Sequence, residues 1–174
     1  VAVAFGVPIV NTNYLPWNGL FFSGTDLFLP RLFWSLREQR HLTFPEILSS
    51  PLRAGPDQFS YDRFGVEILE NTPEEINDIV LEMLMRLDGK LTYSASDERL
   101  QERFQSLTAA CDTFPGAKDL KINCRIGKDY LHKYETLLES PSQEGPFLQG
   151  EKEQIADLVE NGTGFWRAAR SGPG

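Results

Sequence analysis

The stretch ENTPEEINDIVLEMLMRLDG, residues 70–89, leaves a chain the fewest choices. Thr72 is placed as an N-cap and Pro73 takes the first helical position, where a missing N–H is harmless. Glu75 follows three residues after Thr72 and completes a capping box. Ile76, Ile79, Val80, Met83, Leu84 and Leu87 then recur at i, i+3, i+4, i+7, which predicts one buried face, and Gly89 is placed to close the helix. Val66 to Leu69, VEIL, predicts a short strand running straight into this cap. A strand feeding a capped helix is the unit of α/β folds.

A second strand is expected over Val1–Val10, an almost wholly apolar run that ends in the polar, aromatic turn Asn11–Gly19. That pattern suits a buried parallel strand entering a functional loop. Ser49 to Gly65 reads as a loop, because Ser, Pro, Gly and Asp punctuate it throughout. Further helices are expected from Asp97 to about Ala110, with Leu100, Phe104 and Leu107 inward, and from about Lys128 to Glu139, with Tyr130, Leu131, Tyr134, Leu137 and Leu138 on the apolar side. Residues 1–139 thus read as one α/β body. Residues 140–174 read as a polar, weakly structured tail with a short helix over Gln154–Glu160. Two legible strands make an incomplete sheet, whose other members are expected before Val1.

Charge narrows the partners. The net charge is −8 and opposes general attraction to nucleic acid. No run reaches the ~18 apolar residues of a membrane span, and Val1–Val10 lacks the basic flank of a signal peptide. Cys111 and Cys124 are too few for a disulfide framework or a zinc site, and read as reduced thiols of a cytoplasmic protein. No phosphate-binding Walker loop, nucleophile elbow, His-Glu-x-x-His or dinucleotide glycine motif is present.

Three groups of residues can carry chemistry. In open α/β sheets ligands bind beyond the carboxyl ends of strands, where Asn11, Asn13 and Tyr14, with Trp17 and Asn18, would lie. Amides and flat rings suit a sugar or a base, and equally the amides can serve only the turn backbone. Arg31, Arg37, Arg40 and His41 form a basic cluster interleaved with Phe33 and Trp34. A guanidinium there could meet a diphosphate, or could pair with Glu38 and Glu46 on a solvated face. Glu74 and Glu75 serve the helix cap, whereas Glu70 is free to meet ligand hydroxyls.

The segments GVPIVNTNYLP, DLFLPRLFWSLREQRHLTFPEIL, GVEILENTPEEINDIVLEMLMRL and RIGKDYLHKYETLL, in that order, resemble the C-terminal part of a family of bacterial glycosyltransferases linked to surface-polysaccharide synthesis. The resemblance covers roughly Val3 to Leu138. It implies a GT-B architecture, with this chain in the C-terminal, Rossmann-like half that binds the nucleotide-sugar donor. In such proteins a Gly/Ser/Thr-rich turn against the donor phosphate lies just upstream of the GVPIV strand. The resemblance further implies a glycan acceptor, an N-terminal domain supplying the catalytic base, no cofactor or bound metal, and a place in the cytoplasm or peripheral to the inner membrane. Asn11, Asn13 and Tyr14 would line the donor cleft, Arg31 or Arg40 would face the diphosphate, and Glu70 would reach sugar or ribose hydroxyls. A nucleotide-sugar epimerase of related fold and a non-catalytic interaction module are the alternatives.

Overall fold

The computed structural model describes residues 5–15, 17, 24–54, 61–62, 64–110 and 124–139. The chain divides into a unit Val1–Ser140 and a second unit Pro141–Gly174. The second unit, with the helix expected over Gln154–Glu160, lies outside the described residues, as do Asn18 and Cys111.

The first unit is mixed α/β, built on two small sheets. Strands β1 (Val10–Tyr14), β2 (Leu27–Pro30) and β6 (Arg125–Ile126) form a parallel sheet in the order β1-β2-β6. Strands β3 (Leu32–Ser35), β4 (Arg40–His41) and β5 (Val66–Leu69) form an antiparallel sheet in the order β4-β3-β5. Only Arg31 separates β2 from β3, so the chain passes from one sheet to the other at that residue.

The first strand corrects the sequence reading. It begins at Val10, where the expected strand ends, and the asparagine-rich segment expected as a loop is itself the strand. Asparagine is poor in strands on propensity alone, but pairing to β2 overrides that preference. Gly6, at φ 65°, turns the chain ahead of it, and Asp26 Oδ1 accepts the Ile9 N–H at 2.8 Å to start the pairing. Strand β5 has the predicted bounds, yet it pairs antiparallel to β3 rather than joining the parallel sheet.

Four α-helices with defined bounds, and a 3-10 turn at Pro51–Ala54, accompany the sheets among the described residues. Helix α1 (Phe44–Ser49) and helix α2 (Pro73–Leu87) share one device, a capping box with proline in the first turn: Thr43 with Glu46, and Thr72 with Glu75. Beyond α2, the Lys90 N–H reaches Met85 O at 2.9 Å and the Gly89 N–H reaches Arg86 O at 3.0 Å. These are the two bonds of a Schellman ending, and they require the left-handed φ of 67° that Gly89 supplies. Helix α3 (Ala95–Ala110) starts two residues before the expected Asp97, because Ser94 caps it and Asp97 reaches back to the Ser94 N–H at 2.7 Å. Helix α4 (Lys128–Lys133) is shorter than expected. The chain breaks at Tyr134 and continues as a 3-10 turn, Glu135–Leu138.

Helices cover both faces of β2. Phe28 meets the aromatic core of Trp17, Phe44 and Phe104, whose ring centroids lie 5.3 to 6.2 Å apart. Leu29 meets Ile79 of α2 beside Gly127. A side chain at Gly127 would come within 3.2 Å of Leu29 and 3.3 Å of Ile79, so glycine permits the close approach.

Helix α2 turns a different face inward from the one its leucines predict. Glu75, Ile79, Glu82 and Met83 are buried, while Val80, Leu84 and Leu87 are exposed. The inward carboxylates are satisfied, which makes their burial tolerable. Glu82 accepts from the Tyr93 hydroxyl at 2.7 Å and the Lys128 N–H at 2.8 Å. Glu75 accepts from Lys133 Nζ at 2.6 Å, the Tyr134 hydroxyl at 2.8 Å and the Thr72 N–H at 2.9 Å.

Candidate functional site at the strand ends

The carboxyl ends of β1 and β2 meet the start of α2 through one strained residue. Along β1 the register to β2 runs Val10 to Leu27, Asn11 to Phe28, then Tyr14 to Pro30, so β1 carries one extra residue. That bulge holds Asn13 at φ 52°, a left-handed conformation that asparagine tolerates better than most residues. Asn71 fixes it. The Asn13 N–H donates to Asn71 Oδ1 at 2.6 Å, and the Asn71 N–H donates to Asn13 Oδ1 at 2.6 Å. Asn71 Nδ2 also donates to Pro30 O at 3.0 Å, tying β2 to the same knot.

Arg31 is pinned next to it. Its N–H donates to Tyr14 O at 3.1 Å, and its carbonyl accepts the Trp17 indole N–H at 3.2 Å. The preceding Pro30 carbonyl accepts from Asn71 and, at 2.9 Å, from the buried Tyr130 hydroxyl. The backbone is immobilised while the guanidinium stays partly in water, 30% exposed. Its Nη2 donates to Glu70 Oε1 at 3.2 Å, and its Nε has no protein partner. Glu70 itself is 71% exposed, so this ion pair is easily broken.

Asn13, Tyr14, Arg31 and Glu70 are therefore brought together at one edge. Asn11 lies one step back along β1, with Nδ2 buried and without a protein partner. The Tyr14 ring packs edge-on against Phe28, 6.4 Å away, and burial with the nearby Cys124 thiol raises its hydroxyl pKa. Trp17, expected as a flat surface for a ligand, is instead core at 1% exposure.

Arg40 is placed elsewhere, at the outer strand β4. It donates to Glu46 through two nitrogens, at 2.8 and 2.7 Å, and pairs with Glu38. Glu46 is buried, which pushes its carboxyl up, but Arg40 and the Thr43 N–H outweigh burial and hold it below its ordinary value. His41, beside it, lies edge-on to Trp34 and Tyr134. Burial, then the neighbouring Lys133 charge, lower its pKa and keep the ring neutral.

Sequence reasoning missed Asn71, the residue that organises the edge. Its signal was present in ENTP, an asparagine placed just ahead of a helix cap at a strand end.

The start of α2 offers a ligand fewer free N–H groups than a bare helix end would. Thr72 Oγ1 takes the Glu75 N–H at 3.3 Å, and Glu75 takes the Thr72 N–H. The cationic group at this edge is the Arg31 side chain, of the kind that pairs with anions. Among the described residues no group of His, Cys, Asp or Glu is arranged to hold a metal, and no helix is long and apolar enough to cross a membrane. No protein-family model, curated protein or solved structure matches the chain.

Proposed function

We propose that this chain is the donor-binding portion of a GT-B glycosyltransferase, a Rossmann-like body that holds a nucleotide-activated sugar for transfer to a surface glycan. One observation carries the reading: at the carboxyl edge of a parallel sheet, a rigidly anchored arginine with a partly exposed guanidinium stands beside a strained asparagine and an exposed carboxylate. Ligand sites in open α/β sheets occupy this position. Arg31 would neutralise the donor diphosphate, Glu70 would exchange its bond to Arg31 for sugar or ribose hydroxyls, and the Asn11–Tyr14 segment would line the cleft. The acceptor and the catalytic base would be supplied by another domain.

The test is calorimetric titration of uridine and guanosine diphosphates into the chain and its R31Q variant at matched salt. A hydrogen bond to a charged group contributes about 1.5–3 kcal/mol, so R31Q is expected to weaken binding roughly tenfold or more. R40Q, which disturbs an ion pair outside the edge, is expected to leave affinity unchanged. No binding by the wild-type chain, or equal affinities for wild type and R31Q, would remove this edge as a donor site.

A further inference from the structure

One row across the antiparallel sheet stays open to water. Trp34 of β3 pairs with Glu67 of β5 on one side and with His41 of β4 on the other, and residues directly opposite in antiparallel strands share a face. Trp34 is the one residue of β3 that is not buried, His41 is half-buried and Glu67 is exposed. The His41 ring stands at 87° to the indole with centroids 5.1 Å apart, and the Tyr134 ring just beyond α4 continues the line at 6.0 Å and 69°. The row therefore runs carboxylate, indole, imidazole, phenol. Among the described residues neither the Glu67 carboxylate nor the Trp34 N–H has a hydrogen-bond or ion-pair partner.

The two ends of the row select the chemistry it can take. Glu67 repels an anion. At the other end Lys133 Nζ, held by Glu75 at 2.6 Å, already lies 5.1 Å over the Tyr134 ring, where a cationic ligand would have to stack. A neutral ligand meets neither obstacle. It needs an apolar face to lie on the indole, hydroxyls that donate to Glu67, and an oxygen that accepts from the Trp34 N–H. A pyranose ring combines these features, with C–H groups on its faces and hydroxyls around its rim. We propose that the Glu67–Trp34–His41 row binds a neutral glycan. The row is separate from the edge at Arg31, and its argument stands whether or not that edge takes a nucleotide-sugar.

Affinity electrophoresis of the chain in native gels containing dextran, soluble starch, xyloglucan or galactomannan tests this. Wild type should be retarded by at least one of these neutral polymers. W34A should run as it does in a gel without polymer, and E67Q should need several-fold more polymer for the same retardation. R31Q should match wild type, which separates this row from the strand-end edge. Glu67 is exposed, so E67Q leaves the fold intact and decides the matter should W34A fail to fold. No retardation of wild type by any of the four polymers, retardation indifferent to W34A and E67Q, or an equal loss in R31Q would each overturn the proposal.

Discussion

Arg31 shows how a side chain becomes available by fixing everything else about its residue. Its N–H and carbonyl are both taken, and the carbonyl before it accepts two further bonds, so only the guanidinium can respond to a ligand. Glu70 holds that guanidinium by one exposed contact. If Glu70 gives up the guanidinium to take the ribose hydroxyls of the ligand, E70Q should bind nucleoside diphosphates a few-fold more weakly than wild type, the same sign as R31Q. Titrating both variants alongside wild type checks this, and a tighter E70Q would show that Glu70 only competes with the ligand for Arg31. Asn71 acts through geometry. N71A removes the acceptor of the Asn13 N–H and leaves that group unpaired at about 1–3 kcal/mol, while Pro30 O loses one donor but keeps the Tyr130 hydroxyl. Its urea midpoint should fall accordingly, and an unchanged midpoint would show that water replaces the amide. The residue types at this edge were readable from their place after an apolar run. Asn71 was not, because Thr72 beside it accounts for the cap and leaves no visible need for another polar residue. The pairing of Arg40 with Glu46 was open in sequence, since a spacing of six residues does not fix which way a side chain points.

At the scale of elements, the two capping boxes do the same work on helices of very different length, six residues in α1 and fifteen in α2. T72A should cost ~1 kcal/mol by removing a cap from α2. T43A should cost at least as much, because it also removes the hydroxyl that the fully buried Glu46 accepts at 3.0 Å. Denaturant midpoints at constant slope measure both, and a T43A midpoint equal to wild type would show that Arg40 and the backbone N–H of residue 43 suffice to secure Glu46. Helix α2 was legible at both ends because local chemistry decides caps. Its inward face was not, because apolar spacing identifies a stripe without saying what covers it. Glu75 and Glu82 go inward on partners far along the chain, at Lys133, Tyr134, Tyr93 and Lys128. Strands β2 and β3 were hidden for another reason. Pro30 and Arg31 interrupt LFLPRLFWS, and the interruption reads as a break when it is the crossing between two sheets.

For the whole molecule, buried acids distributed over its elements set the response to pH. Burial raises the carboxyls of Glu46, Glu75 and Asp97, but in each case hydrogen bonds outweigh it: Arg40 and Thr43 for Glu46, Lys133 and Thr72 for Glu75, Ser94 and His132 for Asp97. All three therefore sit below the ordinary values of 4.5 for Glu and 3.8 for Asp. A lowered acid stabilises the fold above its unfolded value, and that contribution is lost as pH falls toward the folded one. His41, lowered from 6.5 by burial and by Lys133, acts in the same sense but begins earlier, since protonation in the unfolded chain starts near that value. Glu82 opposes them. Burial raises its carboxyl more than Tyr93 and the Lys128 N–H lower it, so its protonation on acidification favours the fold. The stability of the chain should accordingly decline gently below about pH 6.5 and steeply below about pH 4.5. Urea midpoints from pH 7 to pH 3 measure the profile. E46Q/E75Q should start lower at pH 7 and fall less over the acid range, because two of the groups that drive the loss are gone. E82Q should fall more steeply than wild type, having lost a group that compensates. A wild-type midpoint flat from pH 7 to pH 3 would mean that these carboxylates are no better accommodated in the fold than in water, and that their bonds to Arg40, Lys133 and Ser94 add nothing to stability.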